Sequence, residues 1–179
     1  MKLILTGKFQ KLLKSRISVE NEKIEERSIW NWNCNYFSID RKKYLAFTNN
    51  KTLYSIFIRD FRNANTSRLS QIFATRLLEQ LHFDQIQVPE SFIKQLANKC
   101  QEARFFKTNN DKITIGVLNR ATSDLICHRE VKYYSEEEMN LALENHYINE
   151  MATGKLHSTK KSSYSKPKEE FAKEIMANA

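Results

Sequence analysis

The stretch WNWNCNYFSIDRKKYLAFTNNKTLYSIFI, residues 30–58, decides the fold that we expect for this chain of 179 residues. It contains three short runs of aromatic and aliphatic residues, separated by polar turns at residues 40–42 and 49–50. Runs of this length and composition are typical of strands, and short polar turns join antiparallel neighbours. The stretch therefore predicts an antiparallel meander at about residues 30–58.

Helical patterns surround this meander. Apolar residues recur at the spacing of an amphipathic helix, and Ser, Thr, Asn or Pro stands where such a helix would begin. Helices are predicted at residues 8–14, 65–82, 89–100, 109–125 and 135–151. The β-branched residues within 109–125 leave a strand open as the alternative there. We expect an α+β fold, an antiparallel sheet with helices packed on one face, with a strand at residues 2–6 as a candidate neighbour of the meander.

The amino-acid composition of the chain changes after Gly154. Residues 155–168 contain five Lys, many Ser and no acidic residue, which is a composition typical of a flexible segment. We predict a single α+β domain over residues 1–154, followed by a basic, flexible C-terminal segment over residues 155–179. Pro167 is well placed to begin a short terminal helix in that segment.

Several classes of protein are disfavoured by the composition. No apolar run approaches the roughly 20 residues that span a bilayer, so we expect no membrane association. The three Cys are widely spaced, which favours a reducing compartment, and we expect the protein to be cytoplasmic. The four His lack the spacing of metal ligands, and three Gly are too few for a glycine-rich phosphate loop. We expect no metal and no cofactor, and no catalytic residue can be assigned.

The net charge of +8 and the pI of about 9.4 point to an anionic partner, either nucleic acid or an acidic protein. The alternative is that the basic charge only serves solubility. The oligomeric state does not follow from these properties.

The best candidate site lies within the meander, where aromatic, amide and basic side chains follow one another. Aromatic rings can stack on bases, Asn can bond base edges, and Lys or Arg can neutralise phosphates. The candidate nucleic-acid-binding residues are Trp32, Asn35, Arg41, Lys42, Lys43 and Lys51. The alternative is that Trp32 fills the core, that the basic residues decorate a turn, and that Asn35 holds the backbone of a neighbouring loop.

Several motifs resemble a known family. The sequence WNCN at residues 32–35 is followed by IDRKKYLAFTNNKTLYS at residues 39–55, with later echoes in KTNNDKITIGVLN at 107–119, INE at 148–150 and KPKEEF at 166–171. Together they resemble a family of small bacterial proteins known only as a domain of unknown function. The resemblance implies a compact α+β domain and a setting of plasmids and mobile elements, but no reaction. Asn33 stands where relatives often carry His, so a metal or general-base role is in doubt there.

Three functions remain open from the sequence. The first is a non-enzymatic cytosolic module that binds nucleic acid or a partner protein in a mobile-element or defence setting. The second is a small metal-independent nuclease of the toxin type, which can work with Arg, Lys, Tyr and His alone. The third is an inhibitory or structural protein-interaction module.

Overall fold

The predicted meander forms the antiparallel half of a six-stranded sheet in the computed structural model. Its strands are β3 (Asn31–Ile39), β4 (Lys42–Asn49) and β5 (Ser55–Arg59), each antiparallel to the next. The structure describes residues 1–13, 18–24, 26–59, 61, 68–132, 140–151, 153–154 and 164–178, with no side-chain description for 128–132, 153, 154 and 164. The prediction of a meander is confirmed.

The turn between β3 and β4 is tighter than the sequence suggested. Ile39 pairs with Lys42, so only Asp40 and Arg41 form the loop, and both have positive φ, at 47° and 66°. Two central residues with positive φ are the mark of a type I′ hairpin, whose twist matches that of the flanking strands. The turn therefore displays Arg41 and Lys42 on an exposed tip.

The other half of the sheet is parallel, which corrects the prediction of a purely antiparallel sheet. Its strands are β1 (Lys2–Leu5), β6 (Arg104–Lys107) and the short β2 (Val19–Glu20). The sheet order is β2-β6-β1-β3-β4-β5, and β1 runs parallel to both β3 and β6. Alternation of apolar residues shows that a segment is a strand, but it carries no information about which strand lies beside it.

Six helices are present in the described part of the chain. They are α1 (Gly7–Leu13), α2 (Leu69–Phe83), α3 (Glu90–Gln101), α4 (Lys112–Lys132), α5 (Leu141–Glu150) and α6 (Pro167–Ala177). A two-residue pair, β7 (Thr153–Gly154) and β8 (Tyr164–Ser165), completes the described elements. The predicted starts of α2 and α5, at residues 65–67 and 135–138, lie outside the described residues, as do residues 155–163 of the basic segment. Among the described helices, none is both long enough and apolar enough to cross a bilayer.

Residues 112–132 form a helix, so the strand alternative for that segment is wrong. Asp111 begins it, because its carboxylate accepts hydrogen bonds from the backbone N–H groups of Ile113 and Thr114 and from the Thr114 hydroxyl. Arg27 forms an ion pair with the same carboxylate. A strong N-cap satisfies backbone donors that would otherwise be orphaned, and this outweighs the weak strand preference of the β-branched residues.

Helices cover both faces of the sheet, so the prediction that they pack on one face is also wrong. On the first face, Trp32, Phe47 and Leu45 pack with Phe73 of α2 and Phe171 of α6.

The second face carries Phe37, Tyr44 and Phe57, which pack with Leu118 of α4 and Ile148 of α5. The physical reason is the two-residue period of a strand. Trp32 and Cys34 of β3 point to the first face while Phe37 and Ile39 point to the second, and two apolar faces need two layers of cover.

Helix α5 also covers the outer edge of β5, where none of the described strands pairs. The Asn149 side chain accepts from the Ser55 N–H at 2.7 Å and donates to the Ser55 carbonyl at 2.8 Å. One turn earlier, Asn145 accepts from the Phe57 N–H at 2.8 Å. These two side-chain amides, four residues apart on α5, thus bond backbone groups of β5 as a further strand would. The bonded groups are then not available for pairing with a strand of another chain.

Helix α6 packs directly on the main core. Phe171 is fully buried, stacks on Tyr54 with centroids 4.6 Å apart and meets Trp32 edge-on at 5.5 Å. Glu150 of α5 bonds Lys166 and Lys168 beside α6, and these bonds lower the pKa of Glu150 to about 2. The division of the chain at residue 154 stays a prediction, but this terminal helix contributes to the core of the body.

We expect Phe171→Ala to destabilise the whole protein by about 3–5 kcal/mol, as for other buried aromatic truncations, because it opens a cavity between Trp32 and Tyr54. Met176→Ala is the matched control, since Met176 lies on the same helix and is 58% exposed. Denaturant unfolding measures both variants. Equal stability of Phe171→Ala and wild type would show that α6 does not belong to the core.

We expect Asn149→Ala to cost about 1–3 kcal/mol for each Ser55 backbone group that it leaves unpaired. Asn98→Ala, at an exposed position of α3, is the control and should stay within about 0.5 kcal/mol of wild type. Urea unfolding with size-exclusion chromatography reports stability and association together. A fully stable, monomeric Asn149→Ala protein would contradict the edge-covering role of this residue.

Candidate functional site

The structure places Trp32 and Asn35 in structural positions. Trp32 is buried on the first face, and its Nε1 donates to the Ile29 carbonyl at 3.1 Å. Asn35 is half-buried, and its side-chain oxygen accepts from the Thr6 hydroxyl at 2.8 Å and from the Tyr36 N–H at 2.9 Å. These contacts favour the alternative in which Trp32 fills the core and Asn35 holds its neighbours.

The four basic candidates are divided between opposite ends of the meander. Arg41 and Lys42 are exposed at the β3–β4 turn, and Lys43 follows them on β4. Lys51 lies at the β4–β5 turn, where its Nζ forms an ion pair with Glu174 of α6 at 2.7 Å. Only Arg41, Lys42 and Lys43 therefore remain together as one basic surface.

The Asn pair of the TNNKT motif holds the backbone around it. Asn49 donates from its side-chain nitrogen to the carbonyls of Ser28, Ile29 and Asn31, and its oxygen accepts from residues 51 and 52. Asn50 accepts from the Ser28 N–H and donates to the Glu26 carbonyl. The motif that carried the family resemblance is thus explained by folding, without a ligand.

A cleft of about 470 Å³ opens beside the end of the sheet that carries Arg41 to Lys43, between β5, α2 and α5. Register places it there, because Arg59 at the end of β5 pairs with Tyr44 next to Lys43. Its lining residues are Phe57, Ile58, Arg59, Arg76, Glu79, Gln80, His82, Phe83, Asn140, Leu141, Ala142 and Asn145. A volume of this size is in the range of small-ligand sites.

Among the described residues that line the cleft, Arg side chains outnumber acidic ones. These residues include Arg59 and Arg76, one Glu, Glu79, and His82. Arg76 forms an ion pair with Glu79 at 2.6 Å, but both side chains are more than half exposed, so solvent weakens this pair. Arg41, Lys42 and Lys43 lie at the same end of the sheet and add positive charge to the described part of this surface.

A buried polar network lies behind the cleft and is centred on Asp84, which follows α2. The Asp84 side chain is fully buried and accepts hydrogen bonds from the Tyr54 hydroxyl and from Gln80 Nε2. His146 Nδ1 of α5 lies 2.7 Å from Asp84 Oδ1. Burial first, and then the Asp84 carboxylate, raises the pKa of the Tyr54 phenol well above its usual value, so Tyr54 stays a hydrogen-bond donor.

The pairing with Asp84 determines what His146 can do. When Nδ1 carries the proton and donates to the carboxylate, Nε2 is left as an acceptor, and the ring is 28% exposed to solvent. A carboxylate that orients a histidine in this way is also found where histidine acts as an acid or base. Within the residues described, no group of three His, Cys, Asp or Glu side chains is placed to hold a metal ion.

The sequence did not single out the cleft residues or the polar network behind them. Arg59 and Arg76 belong to β5 and α2, Asp84 follows α2 and His146 belongs to α5, and no short motif links positions so far apart. The i, i+4 spacing of Asn145 and Asn149 on α5 is a signal that was present, since two buried amides on one helix face need partners. That signal points to α5 and to His146, the residue that follows Asn145 on this helix.

Comparison with known proteins yields one family. No curated protein and no solved structure shows significant similarity to the chain. The model of the domain of unknown function DUF6933 matches residues 2–170. This confirms the resemblance to a family that is known as a domain of unknown function, while bacterial origin and a link to mobile elements stay predictions. Since the match covers nearly the whole chain, the protein belongs to the DUF6933 family.

Proposed function

We propose that this protein is a binding module for nucleic acid, and that the cleft between β5, α2 and α5 is the site. The observation that carries the proposal is the cleft itself, whose described lining residues include Arg59, Arg76 and His82 and one acid, Glu79. Phosphate contacts supply most of the affinity of non-specific nucleic-acid binding, and Arg is well suited to them. The net charge of +8 supports attraction of a polyanion over a longer range.

The hairpin tip extends this site in the proposal. Arg41, Lys42 and Lys43 lie at the same end of the sheet as Arg59, so a strand seated in the cleft can continue across the tip. Trp32 is not part of the binding surface in this arrangement, because it is buried. Asn35 and Lys51 also have no role in it, since each is bonded to another part of the protein away from the cleft. The proposed setting is the cytoplasm of a cell that carries mobile elements.

We expect Arg76→Gln to weaken oligonucleotide binding. The slope of log affinity against log salt, which is negative, should become less steep by about 0.7–0.9, the value for one lost phosphate contact. Arg120→Gln is the matched control, because Arg120 is also an exposed helical Arg that pairs with an acid one turn away, Asp124, and it does not line the cleft. Fluorescence anisotropy at several salt concentrations measures both.

Two outcomes would overturn nucleic-acid binding. One is the absence of any binding at low salt, and the other is an equal loss in Arg76→Gln and Arg120→Gln. Binding of poly-glutamate in place of oligonucleotides, with the same dependence on Arg76, would identify an acidic protein as the partner instead.

A second candidate function, a metal-independent ribonuclease, is favoured by the contact between Asp84 and His146. In this reaction His146 Nε2 takes the proton of an RNA 2′-hydroxyl, whose oxygen attacks the adjacent phosphorus. The bond from phosphorus to the 5′ oxygen breaks, and that oxygen takes a proton from water. The products are a 2′,3′-cyclic phosphate and a 5′-hydroxyl, and no metal is needed.

If this second function is correct, His146→Gln should abolish cleavage of end-labelled RNA in the presence of a chelator and leave RNA binding within a few-fold of wild type. His157→Gln is the control, since it removes another His from the chain. Gel electrophoresis of the products measures cleavage. RNA that remains intact with the wild-type protein would contradict the nuclease and leave the binding function as it stands.

A further inference from the structure

Phe83 is a partly exposed aromatic side chain at the cleft that the proposed function does not use. It is the last residue of α2, it lines the cleft, and it is 39% exposed. Its ring meets the edge of the His146 ring at a centroid distance of 6.0 Å and an angle of 72°. That contact holds one side of the ring in place and leaves apolar surface open at the cleft. Among the described exposed apolar side chains, Phe83 is one that combines a flat aromatic face with a position in the cleft lining, where a ligand can stack on it.

Two side-chain amides that line the cleft, those of Gln80 and Asn145, already form hydrogen bonds within the protein. Gln80 Nε2 donates to Asp84 and to the Ala142 carbonyl, and Gln80 Oε1 accepts from Asn145 Nδ2. Asn145 Oδ1 accepts from the Phe57 N–H. A base edge would have to compete with these bonds, and an unpaired buried partner costs about 1–3 kcal/mol. Gln80 and Asn145 are therefore poorly suited to reading a base by hydrogen bonds.

What the cleft offers to a ligand is positive charge and one aromatic surface. We propose, as a deepening of the proposed function on which it rests, that the ligand is single-stranded nucleic acid bound without sequence preference. One base stacks on Phe83, and the flanking phosphates lie at Arg76 and Arg59. Stacking is tolerant of sequence because every base has a flat face, and this combination of basic groove and aromatic surface suits single strands.

A duplex does not fit this arrangement. Its bases are stacked on one another and paired, so a base reaches Phe83 only after it leaves the helix, at a cost of a few kcal/mol. A cleft of about 470 Å³ has the size of a site for a small ligand and admits a nucleotide in preference to a double helix. The phosphates of a duplex can still reach the exposed Arg and Lys around the cleft, so weaker duplex binding at low salt is expected.

The test is Phe83→Ala, with single-stranded and duplex oligonucleotides of the same sequence as probes. We expect single-strand affinity to fall about 5- to 150-fold, the range for loss of one stacked base. The salt slope should not change, because no phosphate contact is lost, and duplex affinity should stay near wild type. Phe83→Trp should retain single-strand binding. Tyr147→Ala is the matched control, since Tyr147 is 51% exposed on α5 and does not line the cleft.

The affinity for an oligonucleotide with several consecutive abasic nucleotides gives an independent test of stacking. Wild type should bind it more weakly than the intact strand, and Phe83→Ala should bind both about equally, because the base and the ring act together. Unchanged single-strand affinity in Phe83→Ala, or an equal loss for the duplex, would overturn stacking. In either case a preserved effect of Arg76→Gln would leave the proposed binding function intact, so the two failures can be told apart.

Discussion

The structure depends on hydrogen bonds to the buried backbone N–H and C=O groups of the meander. At the β4–β5 turn and at the outer edge of β5, asparagine side chains supply these bonds. The Asn49 side chain alone makes six hydrogen bonds at the β4–β5 turn, three from its NH₂ group and three to its oxygen. It ties that turn to residues 28–31, which lead into β3. At the outer edge of β5, Asn145 and Asn149 bond Ser55 and Phe57. Unpaired buried amides are costly, so these side chains determine where α5 and the entry to β3 lie.

The candidate site follows from the same constraint. Asn145 accepts from the β5 edge and donates to Gln80, which in turn bonds Asp84. Helix α5 is thereby held at a fixed distance from α2, and the cleft is the space that remains between them and the end of β5. His146 is the next residue on α5, and its bond to Asp84 belongs to the same network. Stability and site geometry are therefore coupled, because the network that closes the sheet edge also shapes the cleft.

Prediction from sequence worked where local pattern and local chemistry agree. Three strands of the meander follow from alternation and polar turns, and a helix beginning among polar residues 109–111 follows from capping chemistry, with Asp111 as the residue that the structure shows in that role. The same reasoning failed for the number of helical layers, which was predicted as one. Phe37 and Ile39 belong to a second apolar face of the sheet, and helices cover that face as well. For the candidate site, Arg41, Lys42 and Lys43 could be proposed because they are adjacent in sequence, and their role stays a prediction. Arg59 and Arg76 were missed because they line one cleft only when distant segments pack, and the same holds for the contact of Asp84 with His146.

The sequence by itself determined the meander, most of the helices, the basic charge and the Asn-rich turns, since each depends on residues a few positions apart. Tertiary structure decided the parallel half of the sheet, the burial of Trp32 and the engagement of Lys51 by Glu174. It also decided that Asp84 meets His146 and that Arg59 and Arg76 line one cleft. The physical reason is that alternation specifies which side of a strand is apolar, whereas the neighbour on that side is selected by packing of the whole chain.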